Sequence, residues 1–479
     1  MASTQPAHQI GQASQRTGIG HLPVELLHVI FGHFHRDRET ITACSCVCRQ
    51  WRAVALPYVF AELEMGHQEL DNLTQSLDTF PHLPQYVEKL LIYVRPRAFG
   101  STQLEGSVPL VYNTLVELLS RLSSLKYLEL LRLPLPDGPL DEAAVALAHG
   151  MYASGVTRLQ CLSLEGCYRY PARIREHLSV QTILSITEML SPSELRLYNT
   201  PIDCSPLAGV DDVSAPGRLR IKSLSGDELY ILPLSGYPDE DTPLLDTLSQ
   251  RLALHCLHTL QLGLRIRTSR RESLRAVGDF LHHAGGDTLR HLSLPFILKV
   301  MENERSDDTP GYWQDLRLSS LRGLTSFSMQ VYLPVRYQVI NYEHPPPTAY
   351  RRDGSLDYVP RIPMSAVCTA LLATLPQTVR VLTIVVSRIY ETKPLEDDRV
   401  ANLDALDAFL AGPQLPHLNT AHIVLDDVFL QWRAPLNKCI AAVRKVMTRS
   451  AARGILHIHS KRLFFHGGFD PYRSIDPFD

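Results

Sequence analysis

A short apolar motif recurs along most of this chain and constrains its fold more than any other feature. The pattern is apolar-x-x-apolar-x-apolar, and its clearest copies run from Leu257 to Leu262 and from Leu289 to Leu294. The last apolar position of each copy falls at residues 65, 92, 130, 164, 197, 262, 294, 329, 384, 423 and 458. Most intervals are in the thirties, and such a period indicates stacked repeats, because one repeat cannot bury its apolar face alone.

Two intervals are longer than the rest. Between positions 197 and 262, a degenerate copy fits at Leu219–Leu224, with Leu224 as its last apolar residue. Between positions 329 and 384, one repeat carries an insertion at about residues 341–363, rich in tyrosine and proline. A shorter acidic insertion spans Met301–Trp313. Either insertion leans over the sheet and tunes specificity, or is a variable loop without a role.

Helical patterns lie between the copies of the motif. They are centred on residues 111–119, 141–151, 179–190, 244–254, 273–283 and 436–447. Strand, loop, helix and loop in each repeat is the plan of a leucine-rich repeat, which predicts an α/β solenoid. The alternative is an ordinary α/β domain whose buried strands are unrelated to one another.

The segment before the first copy has a different pattern. Pro23 suits a first helical turn, and Glu25 favours the positive end of a helix. Apolar residues then recur at helical spacing, and a second apolar segment passes through Trp51 and is predicted to stop at Pro57. About forty residues are too few to bury a sizeable core, so this unit is expected to need a partner surface.

This segment resembles an F-box, through Leu22-Pro23-x-Glu25-Leu26-Leu27 and the later Cys-Arg-x-Trp-Arg that ends at Arg52. The repeats are similar to the irregular leucine-rich repeats of fungal F-box proteins. The polar residues 1–20 are expected to be disordered. The resemblance implies an all-α F-box at 21–60 and a leucine-rich-repeat-like α/β solenoid at 61–465, which leaves a tail at 466–479.

The resemblance also implies a function and partners. The chain would be the substrate-recognition subunit of an SCF-type cullin-RING ubiquitin ligase, binding a Skp adaptor, through it a cullin scaffold, and an unknown target protein. It would be no enzyme and would need no cofactor. The alternatives are an F-box scaffold that serves no degradation, or an uncharacterised enzyme in the repeat region. The expected adaptor-binding residues are Leu22, Pro23, Leu26, Leu27, Ile30, Phe31, Val47 and Trp51.

Composition restricts the other possible partners. The formal net charge is −3, with 47 basic and 50 acidic residues, which argues against nucleic acid or an anionic membrane. We expect no membrane span and no secretory signal, because the apolar runs are too short and the N-terminus is polar. Nine scattered cysteines indicate reduced thiols, and hence a cytoplasmic or nuclear protein.

Residues that alternate with the apolar positions are predicted to share the opposite face of the sheet. That face is polar and of mixed charge, which suits a peptide or folded protein, although for any one residue simple solvation is the plainer explanation. Arg265 and Arg267 begin the densest basic stretch, where guanidinium groups can grip a phosphate or carboxylate. The candidate target-binding residues are Glu129, Glu165, Arg196, Tyr198, Gln261, Arg265, Arg267, Gln330 and His422.

Signals for metal or catalytic chemistry are weak. Cys44, Cys46 and Cys48 have a spacing that structural zinc does not favour, and on one helix Cys46 would face away from the other two. His457 and His459 share a strand face, but no third ligand lies near them in the sequence. Phosphate-binding, dinucleotide-binding and nucleophile-elbow motifs are absent from the sequence, so we expect no metal, cofactor or catalytic site.

Overall fold

The structure of the chain is a computed structural model. It describes residues 22–34, 37–94, 109–136, 142–153, 158–170, 178–198, 200, 202–203, 219–229, 242–264, 271–284, 286–298, 309–333, 362–387, 389, 392–426 and 436–461. The predicted N-terminal segment at 1–20, the tail at 466–479, and the insertion at 341–363 except for its last two residues lie outside the described residues.

Three helices form the N-terminal unit: α1 (Val24–His33), α2 (Arg38–Ser45) and α3 (Arg49–Phe60). Asp37 caps α2, because its carboxylate accepts hydrogen bonds from the amide (3.0 Å) and the hydroxyl (2.7 Å) of Thr40. These bonds stabilise the charged form and lower the pKa of Asp37 below its ordinary value. The all-α character predicted for this unit is confirmed.

Two local predictions for this unit were wrong. Helix α3 continues through Pro57 to Phe60, because Tyr58 beyond the proline is held by α1: its hydroxyl donates to the His28 carbonyl at 3.1 Å. The three cysteines do not share one helix either. Helix α2 ends at Ser45, and Cys48 is the N-cap of α3, so a turn separates them.

A twelve-stranded sheet follows, with all neighbouring strands parallel and in chain order. Two short pairs, β4 with β6 and β7 with β9, lie outside it. The strands are β1 (Glu62–Gly66), β2 (Lys89–Tyr93), β3 (Tyr127–Leu131), β4 (Pro134–Pro136), β5 (Cys161–Glu165), β6 (Tyr168–Tyr170), β7 (Leu178–Ser179), β8 (Glu194–Tyr198), β9 (Ile202–Asp203), β10 (Ser223–Leu229), β11 (Thr259–Leu264), β12 (His291–Leu298), β13 (Ser326–Tyr332), β14 (Val381–Ser387), β15 (Thr420–Asp426) and β16 (Leu456–Lys461).

Helices occupy the connections between these strands. They are α4 (Leu70–Thr79), α5 (Tyr112–Arg121), α6 (Glu142–Ala153), α7 (Val180–Leu190), α8 (Thr242–Arg251), α9 (Arg271–His283), α10 (Met364–Leu372), α11 (Lys393–Glu396), α12 (Leu403–Ala411), α13 (Leu436–Val446) and α14 (Thr448–Ala452). All six predicted helical patterns are helices, whereas α4, α10, α11, α12 and α14 were not predicted. The α/β class is therefore confirmed for the region after the first three helices.

Register explains how the repeated motif makes the core. The middle apolar residue of each copy pairs with that of the next strand, giving one row across the sheet, which consists of Leu63, Leu90, Leu128, Leu162, Leu195, Leu224, Leu260, Leu292, Phe327, Leu382, Ala421 and Leu456. The ten inner members are buried, while the two on the end strands are only partly buried. Apolar faces of the helices pack on this row and its neighbour, which makes one continuous cluster.

The degenerate copy exists, but its predicted alignment was wrong. Leu224 pairs with Leu195 and Leu260, so it is the middle apolar residue rather than the last one. Gly226 then takes the last position, opposite Leu262. A glycine there carries no apolar side chain, which is why the sequence pattern concealed this strand.

Of the predicted acidic insertion at Met301–Trp313, residues 301–308 lie outside the described residues. The end of the insertion belongs to a 3-10 helix, Thr309–Leu316, and the Trp313 side chain is buried in the core. Other 3-10 turns lie at His67–Glu69, Pro84–Tyr86, Leu254–Cys256 and Leu318–Ser320. The junction between the N-terminal unit and the sheet is short: Ala61 alone separates α3 from β1, and its carbonyl accepts from the amides of Glu88 (2.9 Å) and Lys89 (2.8 Å).

Candidate functional site

The N-terminal unit exposes an unusual number of large apolar side chains. Leu26 is 49% exposed and Val29 58%, and these two lie three residues apart on one face of α1. Val47, in the turn before α3, is 61% exposed. Val24 and Phe34 are exposed as well. An apolar side chain gains nothing from water, so this set, hereafter the exposed apolar set, marks a surface suited to a partner.

Two of the predicted adaptor-binding residues lie instead in the interior of the same unit. Leu27 and Phe31 are 0% exposed and pack with Ile41, Val54 and Ala55 in a small separate core. Both side chains are out of reach of a rigidly docking partner. We therefore assign Leu27 and Phe31 to the stability of the unit, which the apolar spacing in the sequence did not distinguish from docking.

The remaining predicted adaptor-binding residues are exposed or half-buried. Pro23 is exposed at the start of α1, while Leu22 and Ile30 are half-buried. The Leu22 carbonyl accepts a hydrogen bond from Gln50 Nε2 at 3.1 Å, which ties the start of α1 to α3. Trp51 is half-buried with its ring edge-on to that of Phe31, at a centroid distance of 5.6 Å.

Comparison with known families agrees with this geometry. Residues 19–62 match the family model described as F-box-like. No curated protein matches the chain. The F-box-like segment supports a role in binding the Skp adaptor of SCF ubiquitin ligases, and it covers the three helices that carry the exposed apolar set.

A second candidate surface is the polar face of the sheet. The strand ladder places Glu129, Arg196, Gln261 and His422 in one row across it. The other members of this row, on the strands between them, are Ser163, Ser225, Ser293, Ser328 and Thr383. Four of the nine predicted target-binding residues are thus aligned, although they are far apart in the sequence.

The next row along the strands contains further predicted residues. Glu165 pairs with Tyr198 on β8, and Gln330 on β13 pairs with Val385 on β14. Burial is the main cause that raises the pKa of Glu165, and Arg132 opposes it. Arg265 and Arg267, also predicted for target binding, lie outside the described residues.

Several of these polar groups already have partners within the sheet. Glu129 forms an ion pair with Lys89 at 3.1 Å, and Gln330 Nε2 donates to Ser387 Oγ at 2.7 Å. Arg196 Nε donates to Glu194 at 2.9 Å; burial works against the charged guanidinium, but this bond raises the Arg196 pKa above its ordinary value. A target would therefore meet a structured array of polar groups rather than free charges.

The polar face ends in three histidines on the last two strands. His422 on β15 pairs with His457 on β16, and His459 follows on the same face of β16. His422 Nδ1 lies 2.9 Å from His459 Nε2. Burial first, and then His459 and His457, lower the pKa of His422 to about 4. The sequence alone places His457 and His459 on one strand face, and the strand pairing adds His422, which is 35 residues before His457 in the chain.

Other chemistry finds less support in the described part of the chain. There, as the side chains stand, three or more His, Cys, Asp or Glu residues are nowhere gathered in an arrangement ready to hold a metal. None of the helices that the structure describes combines the length and the apolar character that a bilayer crossing demands.

Proposed function

We propose that this chain is the substrate-recognition subunit of an SCF-type cullin-RING ubiquitin ligase. The observation that carries the proposal is the exposed apolar set, on a three-helix unit that matches the F-box-like family. In this proposal the unit binds a Skp adaptor, the adaptor connects it to a cullin scaffold, and the rest of the chain binds a protein target. The chain itself forms and breaks no bonds.

The adaptor surface in this proposal differs from the set that the sequence suggested, because Leu27 and Phe31 are buried. It comprises the other predicted residues, which are exposed or half-buried, and the rest of the exposed apolar set: Leu22, Pro23, Leu26, Ile30, Val47, Trp51, Val24, Val29 and Phe34. Burying such residues at an interface removes apolar surface from water, which favours association. The core residues of the unit contribute indirectly, by holding α1 and the turn before α3 in place.

The region after the F-box-like unit is, in the same proposal, a leucine-rich-repeat-like solenoid that holds the target. Two features support this: the twelve strands are parallel and follow chain order, and each contributes one residue to the apolar row that runs across the sheet from Leu63 to Leu456. The short junction at Ala61 would fix the direction in which the target is presented. Holding a target near the ubiquitin-loaded conjugating enzyme raises the effective concentration of the target at the ubiquitin-transfer step. We place the complex in the cytoplasm, the nucleus or both.

Binding of a purified Skp adaptor to the full chain tests the proposal. We expect Leu26→Asp to abolish binding, because a carboxylate would be desolvated in an apolar interface. Leu147→Asp is the matched control: Leu147 is 43% exposed on α6, outside the F-box-like unit, and its change should leave binding intact. Equal binding by both variants would overturn the interface.

A reconstitution experiment then separates the proposal from its alternatives. With the adaptor, cullin and RING subunits present, the wild-type chain should promote ubiquitin transfer to a protein that it binds, and the Leu26→Asp variant should not. Adaptor binding without any transfer, and without change in the lifetime of bound proteins in cells, would favour a non-degradative scaffold instead. Turnover of a small molecule by the chain alone would favour an enzyme.

A further inference from the structure

The last two strands of the sheet bring three imidazole rings onto one face. Ring centroids of His422 and His459 are 5.0 Å apart, and those of His422 and His457 are 5.4 Å apart. Neither the F-box-like unit nor the apolar row on the opposite face of the sheet requires histidine here. The cluster therefore needs an explanation of its own.

Two of the ring nitrogens are nearly as far apart as two nitrogen ligands of one metal ion would be. His422 Nδ1 and His459 Nε2 are 2.9 Å apart, so only one proton lies between them. Zinc–imidazole bonds of about 2.0–2.1 Å at tetrahedral angles separate two ligand nitrogens by about 3.3 Å. To hold a metal ion in place of the shared proton, these two nitrogens would have to part by about half an ångström, and both rings would have to turn until their lone pairs converge on the ion.

The third ring has to turn to join them. His457 and His459 are stacked, with 7° between their planes and 6.4 Å between their centroids, so their nitrogens do not yet converge. His457 is exposed and, within the described residues, makes ring contacts but no hydrogen bond. Exposed side chains change rotamer on the picosecond-to-nanosecond scale, so its rotation toward His422 meets little resistance.

The donor set indicates which ions fit. Imidazole nitrogens suit zinc, copper and nickel, whereas calcium and magnesium prefer oxygen ligands. Arg444, which lines the shallow pocket at this edge with His457 and His459, is the nearby cation that opposes binding.

We propose that His422, His457 and His459 form a three-histidine site for a divalent transition metal of the zinc class, with one coordination position left open. Because His422 is on β15 and the other two are on β16, the ion ties the last strand of the sheet to its neighbour. Within the described residues, that strand pairs with a neighbour on one side only, so a crosslink there protects it from fraying. The ion stabilises the folded chain by binding it in preference to the unfolded chain.

Calorimetric titration of the chelator-treated full chain with ZnCl2 tests the site, together with visible absorption spectra after addition of CoCl2. We expect one equivalent of zinc to bind, and cobalt to give the spectrum of a low-coordinate nitrogen site. His457→Gln should weaken zinc binding by more than about 100-fold, since losing a direct ligand costs more than losing an outer-shell partner. Zinc should raise the melting temperature of the wild-type chain but not of this variant.

The matched control is the exposed pair His282 and His283 on α9, whose rings are 5.8 Å apart but tilted at 78°. His283 Nδ1 is bonded to the Asp279 carbonyl at 2.6 Å, which leaves this pair without a shared ligand point. His282→Ala/His283→Ala should therefore leave the zinc titration unchanged. The proposal is overturned if His422→Ala/His457→Ala/His459→Ala binds zinc as tightly as the wild-type chain and gives the same cobalt spectrum.

Discussion

Two adjacent leucines on α1 allow docking and folding to be measured separately. Leu26 is 49% exposed, whereas Leu27 is 0% exposed in the core of the three-helix unit. Full burial of a leucine contributes about 1.5–3 kcal/mol, so covering the exposed half of Leu26 contributes about 0.7–1.5 kcal/mol. Leu26→Ala should therefore raise the Kd for the Skp adaptor about three- to thirteen-fold. Its effect on unfolding should stay within about 0.5 kcal/mol.

Leu27→Ala should behave in the opposite way. Truncating a fully buried leucine side chain lowers the free energy of unfolding by about 2–5 kcal/mol, because burial of the removed atoms is lost and an unfilled cavity adds a further cost. Hydrogen exchange of the α1–α3 amides in the full chain measures this loss directly, and it should be confined to the three-helix unit, whose core is separate from that of the sheet.

The control variant is Leu147→Ala, at an exposed leucine on α6. This change should alter neither the adaptor affinity nor the hydrogen exchange of α1–α3. Isothermal titration with purified adaptor gives the affinities. The reasoning is refuted if Leu26→Ala binds the adaptor like the wild-type chain, or if Leu27→Ala leaves the exchange rates unchanged.

Two further predictions concern the sheet region. An NMR titration should find the pKa of His422 at about 4, and His457→Ala should raise it only partway, because burial is the larger cause. Since this folded-state pKa is depressed, the unfolded chain binds the proton first, and the stability contributed by His422 should be lost as the pH falls from about 6.5 toward 4. Gly278→Ala should destabilise the chain in urea unfolding by about 2 kcal/mol or more, because a β-carbon would collide with the backbone carbonyl of Asp315. Gly32→Ala, with open space around its position, should instead be neutral or slightly stabilising, and equal effects of the two changes would contradict the packing described for α9.

Much of the architecture followed from local pattern. The recurring motif predicted the strands that contain Leu260 and Leu292, and the intervening spacing predicted the helices that the structure shows between strands. This works because alternation and helical spacing are set by backbone geometry, which any short segment expresses by itself. The pattern failed where a strand carried Gly226 instead of a third apolar residue, since the missing side chain removed the signal.

In the F-box-like segment too, the sequence predicted the type of unit but not the packing of each residue. A few spaced residues were enough to indicate an F-box, and the family match at 19–62 agrees. Which apolar residues face inward was not legible: Leu26 and Leu27 are equally apolar neighbours. Only the packing of α1 against α3 determined that Leu27 is core and Leu26 is surface. Tertiary contact through Tyr58 likewise carried α3 past Pro57.

A small helical unit with the F-box pattern and an α/β region with a recurring apolar motif were both predictable from the sequence, because each rests on local spacing. Which side chains meet depends on tertiary structure. His422 and His459 are 37 residues apart and become hydrogen-bonded neighbours only because β15 and β16 pair in one register. The physical reason is that local periodicity fixes the direction of a side chain within its own element, whereas neighbours across a sheet are fixed by strand pairing, which no short segment specifies alone.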